Sequence, residues 1–442
     1  MSSKAAKKRR KSPKKRSRPL PFEYNLLLTA TLCLLALGAV MVFSASSTTR
    51  ILQNGGLSDS AFYLKRTLLF GAVGLTIMAL ASRHGLRVVR QLTPILLAGS
   101  IFLLLAVLAV GTEVNGATRW LGGGFLQVQP SELAKVALIL YGADLLAQKP
   151  KRVRSLEGLM PFLLVVGASS LLIMLQPDMG TTMVIAFSVG ATLVAAGVRP
   201  VDLGKIGLVI GVLALLMAVV EPYRMARLTS FLNPSADAAG AGFQAAQAKI
   251  ALGSGGLFGE GLGNGVQKAF YLPEAHTDMI TAVIGEELGL VGIAGVVGLF
   301  AMFGYAGLKT AQKAKDIYSK LLVTGLTSLV LVQAIINLFA VMGMAPLTGV
   351  PLPFVSYGNS SLMASLFAVG LILNVARGGA AASARRATPT GAGKLRAIDG
   401  GRSPARERSR ANGARKAKSG GGGGGNRGAR RARHGGRRRA SG

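Results

Sequence analysis

Apolar runs of about 20 residues recur between residues 24 and 376, with few charges inside them. Each is long enough to cross a bilayer core of roughly 30 Å as a helix. A backbone in lipid must satisfy its own hydrogen bonds, which makes helices the expected element. The chain is therefore read as an all-α polytopic membrane protein, an assignment that fits its 50% hydrophobic composition. Ten spans are expected at about 24–45, 66–82, 92–110, 130–147, 157–175, 180–197, 203–220, 279–307, 318–342 and 358–376. The run from Tyr24 to Ser44 exceeds a typical signal-peptide core and reads as a retained anchor.

The net charge of +33 belongs mostly to two tails. Residues 1–19 hold ten Lys/Arg, and the stretch from Arg377 to the end holds nineteen more. The N-tail (1–23) and the Gly/Arg-rich C-tail (378–442) have too little apolar content to bury a core and are expected to be disordered. Anionic lipids or an acidic protein are their expected partners. Nothing in them reads bases, so no specific nucleic acid is expected. The basic loops 83–90, 149–154, 197–200 and 309–320 fall on the same side as both tails in a ten-span topology. The positive-inside rule makes that side cytoplasmic. Cys33 is the lone cysteine, which excludes an intrachain disulfide, and His84, His276 and His434 form no metal motif.

The long segment 221–278, between spans seven and eight, then faces outward. Long loops in compact proteins are usually functional or disordered, and Gln244, Gln247 and Lys249 fit a short helix here. GSGGLFGEGLGNG (253–265) lacks the ending of a phosphate-binding Walker loop and fails GxGxxG. It reads as a flexible loop or as backbone lying close to a phosphate or sugar. YLPEAHTDMITAVIGEE (271–287) gathers Glu274, His276, Thr277 and Asp278 at the mouth of an apolar run. Asp278 has two readings, an N-cap or a general base. Lys268, Arg224 and Arg227 are nearby cations suited to an anionic substrate. Glu286 and Glu287 lie deeper, where hydrogen bonding in the structure is as good a reading as chemistry.

Three further polar stretches face the same side. NGATRWLGGGFLQVQPSELAK (115–135) carries Arg119 and Trp120, and its Glu132 and Lys135 are spaced to pair on a helix. QPDMGT (176–181) places Asp178 where it can cap span six, and PLTGVPLPFVSYGNSS (346–361) is a Pro-rich turn region with Ser356, Tyr357 and Ser360. Polar loops gathered on one side suggest one outward-facing cavity.

Taken together and in this order, these motifs closely resemble the SEDS family (shape, elongation, division and sporulation proteins), from about residue 24 to 377. NGVQKAFYLPEAHTD looks more like the cell-division branch, FtsW, than the elongation branch, RodA. The resemblance implies a ten-span SEDS-type fold and a peptidoglycan glycosyltransferase that polymerises lipid II at the outer face of the bacterial plasma membrane. It implies septal action beside a class B penicillin-binding protein transpeptidase and other divisome proteins. It further implies that Asp278 is catalytic, with Arg119, Trp120, Glu132, Lys135 and Asp178 at matching motif positions. Met279 and Asn359 depart from the family wording, which has Phe and Gly there.

Such a reaction needs a base for the acceptor hydroxyl and cations or oriented donors for the pyrophosphate. A divalent cation (Mg or Mn) beside the pyrophosphate is compatible with it, and no metal ligand set is assigned. A lipid II flippase is the alternative from a different class, although the chain has no evident internal repeat of the kind transporters show.

Overall fold

The computed structural model describes residues 20–53, 60–83, 86–114, 117–124, 127–148, 150, 153, 155–220, 225, 229, 231 and 242–387. Most of both basic tails, together with Arg224 and Arg227, therefore lies outside the described residues. Twelve helices and one small hairpin are described: α1 (Phe22–Gln53), α2 (Phe62–Arg83), α3 (Leu86–Val110), β1 (Thr112–Val114), β2 (Ala117–Trp120), α4 (Pro130–Gln148), α5 (Leu156–Leu175), α6 (Met179–Ala196), α7 (Pro200–Val220), α8 (Phe243–Ser254), α9 (Gln267–Phe270), α10 (Ile280–Gln312), α11 (Ile317–Val341) and α12 (Asn359–Ala387).

Nine of the described helices are long and apolar enough to cross a membrane. The tenth expected span is α4, which forms where expected but carries Glu132, Lys135 and Asp144 within 19 residues. Two of those charges pair with each other inside the protein. Beside the helices, β1 and β2 pair antiparallel, with Thr112 opposite Trp120. Asn115-Gly116 between them is a strong hairpin signal. Helix α12 runs to Ala387, past the expected start of the C-tail at 378. The long α10 is interrupted at Gly289, which adopts φ 65° and ψ −162°.

Helices α11 and α12 are the most buried of the spans, and α7 is almost wholly exposed. Large apolar side chains such as Phe102, Leu164 and Leu208 face outward, as helices bathed in lipid require. Helices in lipid pack through small residues that let them approach closely. A Cβ on Gly74 of α2 would lie 2.5 Å from Leu366 of α12, and one on Gly370 of α12 would lie 2.7 Å from the Met78 carbonyl of α2. At Gly370 the obstacle is backbone, so a substitution there would push these two helices apart, whereas at Gly74 the Leu366 side chain can shift.

The C-terminal ends of α1, α3, α5 and α11 meet the N-terminal ends of α2, α4, α6, α10 and α12 at one end of the bundle.

Candidate functional site

Short helix α9 leads into a tight run of turns over 271–279. Thr277 N–H donates to the Glu274 carbonyl (3.0 Å), and Thr277 Oγ1 donates to the same carbonyl (2.9 Å). Thr277 Oγ1 also lies 3.2 Å from Glu274 Oε2 and 3.3 Å from Asp278 Oδ1. Glu274 has φ 54°, in the left-handed region that a residue with a Cβ seldom adopts, so these bonds hold a strained turn. Met279 is the N-cap of α10, and its side chain makes no capping hydrogen bond. Asp278 is half-buried just ahead of the helix, and its carbonyl accepts from Asn337 Nδ2 at 2.8 Å. A methyl group on Gly349 would lie 3.8 Å from Asp278 Oδ2, which places the carboxylate against the 346–361 segment.

His276 joins the same segment. Its carbonyl accepts from Tyr357 N–H (2.9 Å), and its ring lies 4.3 Å from that of Tyr63 and 5.4 Å from that of Tyr357, centroid to centroid. Three parts of the chain meet in this cluster: the start of α2, the Asp278 turn and the approach to α12. Ser356 is buried, and its hydroxyl accepts from Leu352 N–H at 2.8 Å. Its hydroxyl thus shapes the turn.

Arg119 and Trp120 sit on β2, both half-buried. The Arg119 guanidinium donates to the carbonyls of Gln176 (3.2 Å) and Pro177, tying the hairpin to the α5–α6 turn. Asp178 caps α6, accepting from Thr181 N–H (3.0 Å) and Thr181 Oγ1 (2.8 Å), and it also accepts from Gln129 Nε2 (3.2 Å). Its buried carboxylate is committed to these partners, so its expected place in substrate binding is corrected to a structural one. Gln129 N–H donates to Ser360 Oγ at the start of α12. Arg66, which sequence reading passed over, is buried on α2 and donates to the Gly124 carbonyl at 3.0 Å. With the Asn359 amide turned so that its oxygen faces the guanidinium, that oxygen accepts from Arg66 Nε at 3.0 Å. Asn359, the departure from the family wording, thus supplies an acceptor that glycine lacks.

Glu132 and Lys135 pair as their spacing predicts, Nζ to Oε1 at 2.8 Å, with 3% and 2% exposure. Lys135 also reaches Gln333 Oε1 (3.2 Å), and Gln333 Nε2 donates to Ser361 Oγ (3.2 Å). This line of polar groups joins α4, α11 and α12 inside an apolar bundle. Deleting one partner of a buried ion pair strands the other charge. Lys135→Met is therefore expected to destabilise the protein by about 3–5 kcal/mol, and Glu132→Gln/Lys135→Met together by less. Thermal unfolding of the two variants in detergent tests that ordering.

The glycine-rich stretch is ordered by backbone hydrogen bonds to α10. It clasps the break in α10. Glu260 and Gly261 donate their N–H groups to the carbonyls of Glu286 (2.9 Å) and Glu287 (3.0 Å). Leu290 and Val291 donate theirs to the carbonyls of Gly256 (3.0 Å) and Leu257 (3.1 Å). The backbone groups freed by the interruption are thus satisfied by the loop, as burial demands. Glu286 Oε1 accepts from the N–H groups of Val266 (2.7 Å) and Gln267 (2.9 Å), capping α9. Lys268 donates to Glu287 Oε1 (2.5 Å), Ser44 Oγ (3.0 Å) and the Gly263 carbonyl (2.9 Å), which occupies all three ammonium donors. Lys268 is 2% exposed. Its expected role as a cation for an anionic substrate is corrected to that of a buried strut. The motif carboxylates Glu286 and Glu287 are structural, and the turn bearing Asp278 is anchored just upstream by this network.

Among the described residues no three His, Cys, Asp or Glu side chains assemble a metal site.

The FtsW/RodA/SpoVE family model, described as cell cycle protein, matches residues 24–380. A probable peptidoglycan glycosyltransferase FtsW of Trichlorobacter lovleyi is 40% identical over 360 residues, covering 80% of this chain and 94% of the relative. Stage V sporulation protein E of Bacillus subtilis is 41% identical over 358 residues, covering 80% and 96%. Among solved structures, a chain of a peptidoglycan synthase complex coordinating polymerization and crosslinking superposes with a TM-score of 0.63 at 28% identity, covering 79% of this chain and 96% of that one. The rod shape determining protein RodA of Thermus thermophilus superposes with a TM-score of 0.59, also at 28% identity, covering 79% and 95%. The chain belongs to the SEDS family of cell cycle proteins and is of the FtsW type.

Proposed function

We propose that this protein is a peptidoglycan glycosyltransferase that polymerises lipid II during septal wall synthesis, with Asp278 as its general base. The observation that carries the site assignment is the placement of Asp278. It is half-exposed where the loops of the bundle converge, just ahead of the N-terminus of α10. The motif end of the bundle faces outward and both termini are cytoplasmic, a reading supported by the distribution of Lys and Arg.

A sugar hydroxyl is a weak nucleophile at neutral pH. Asp278 accepts the proton of the acceptor's GlcNAc 4-hydroxyl as its oxygen attacks the donor's anomeric carbon. The bond from that carbon to the pyrophosphate breaks, the polyprenyl pyrophosphate leaves with the electron pair, and inversion yields the β-linkage. Arg119, Arg224 and Arg227 are the candidate cations for the growing pyrophosphate charge. Trp120, Glu274, His276 and Thr277 line the approach for the glycan. Glu132 and Lys135 shape its floor. A class B penicillin-binding protein is the proposed partner, since the structural relative comes from a complex that couples polymerization to crosslinking. The basic tails suit anionic lipids or an acidic divisome protein.

The test is glycan-chain formation from lipid II by the purified protein with its transpeptidase partner. The transpeptidase is blocked so that only polymerisation is read. Chains made by wild type support the enzyme. Movement of labelled lipid II across sealed vesicles without chains would support a flippase instead.

A further inference from the structure

Asn337 lies on α11, 59 residues from Asp278 in sequence, and is 2% exposed. A primary amide offers two N–H donors and one carbonyl acceptor. Here all of that capacity is directed at one place. One donor goes to the Asp278 carbonyl and the other to the Val350 carbonyl, each at 2.8 Å. Asn337 Oδ1 accepts from Thr281 Oγ1 in the first turn of α10, at 2.6 Å.

The first N–H groups of α10 explain why the Asp278 bond matters. Ala282 and Val283 both donate to the Met279 carbonyl, at 2.9 and 3.4 Å, so the helix ladder starts one residue too late to use Asp278. The Asp278 carbonyl needs a partner from elsewhere, and Asn337 supplies it. Fixing that carbonyl fixes the peptide plane that follows Asp278. The bond to Val350 fixes the wall beside it, because Gly349 is the residue packed against Asp278 Oδ2. The hydroxyl of Thr281 holds the amide so that nitrogen, not oxygen, faces both carbonyls. The sequence has no local signal for this arrangement beyond two amides, Gln333 and Asn337, one turn apart in an apolar helix.

We propose that Asn337 is a positioning residue for the reaction, setting the direction of the Asp278 carboxylate and its distance from the 346–361 wall. This rests on Asp278 being the base. Misplacing a reacting group by about 1 Å costs on the order of 100-fold in rate. Asn337→Asp keeps the shape and the acceptor for Thr281 but cannot donate to two carbonyls. Thr281→Val leaves both carbonyl bonds and removes only the orienting hydroxyl.

The experiment measures kcat and KM for lipid II polymerisation by full-length protein with its transpeptidase partner. Wild type, Asn337→Asp, Thr281→Val and Asp278→Asn are compared. Asn337→Asp is expected to lower kcat about 100-fold, and Thr281→Val about tenfold, for one lost hydrogen bond. In both, KM should stay within about threefold, since neither side chain touches substrate. A role in maintaining the binding groove alone would raise KM and leave kcat, and that result would overturn the proposal. So would an Asn337→Asp kcat equal to wild type beside an inactive Asp278→Asn. An active Asp278→Asn would instead remove the base assignment on which the proposal stands. If Asn337→Asp does not fold, Thr281→Val decides, by the same split between kcat and KM.

Discussion

Replacing Asp278 by Asn is expected to reduce glycan polymerisation by about 10²–10⁴-fold, the usual contribution of a positioned general base. The substitution is close to isosteric and removes only the ability to take a proton. It should leave the fold intact, because the N-cap of α10 is Met279 and Asp278 bonds Asn337 through its main-chain carbonyl. Thermal unfolding and binding to the transpeptidase partner should therefore match wild type while chain formation is lost. Asp278→Glu separates the presence of a carboxylate from its placement. It retains the base but displaces it by about one methylene, and a loss on the order of 100-fold is expected. Chains from Asp278→Asn at a rate within tenfold of wild type would show that the base is elsewhere. Glu274 would then be the next group to replace, since it is the exposed carboxylate of the same turn.

Periodicity and length are local properties, and they were legible. Every expected span forms a helix, and the helix around Gln244 to Lys249 forms as well. Pairings between neighbours in sequence were legible for the same reason. The Glu132–Lys135 pair and the Asp178 cap both follow from three-residue spacings. What the sequence left undecided were the bonds between distant elements. The Lys268 ammonium looks like a cation for substrate until its three donors are traced to Ser44, Gly263 and Glu287, two of them 224 and 19 residues away. Neither Arg66 nor Asn337 belongs to a local motif, and their importance appears only when the loop from β2 to α4 and the 346–361 segment are folded against them. The hairpin β1–β2 is different. Its Asn-Gly signal is local and present in the sequence. The glycine-rich stretch was misread because its composition suits a flexible loop. Its order comes from the broken ladder of α10, a feature with no local signature except Gly289 itself.

Alanine at Gly289 or Gly259 is expected to destabilise the protein by more than about 4 kcal/mol, in the range that marks a failed core contact. Gly289 combines φ 65° with ψ −162°, a conformation essentially restricted to glycine and worth about 1–3 kcal/mol of strain for any other residue. Its new Cβ would also lie 2.4 Å from the Gly259 nitrogen and 2.6 Å from the Leu257 carbonyl oxygen. A methyl group on Gly259 would lie 2.2 Å from the Glu287 carbonyl oxygen. In each case the obstacle is backbone, which cannot swing aside as a flexible side chain would. Relief requires parting the clasp, and that leaves the four bonds between the loop and α10 without partners. Gly253 is the internal control. It lies in the last turn of α8 with open space where a Cβ would go, so alanine there should be neutral or stabilising by up to about 1 kcal/mol. Thermal unfolding of the three variants in detergent, with limited proteolysis at 253–265, measures the ranking. Equal stability of Gly253→Ala and Gly289→Ala would mean that the clasp contributes nothing. If the ranking holds, polymerisation should fall in Gly259→Ala even at temperatures where the protein stays folded. The same stretch of chain that closes the break in α10 carries Lys268 and leads directly into the turn that presents Asp278.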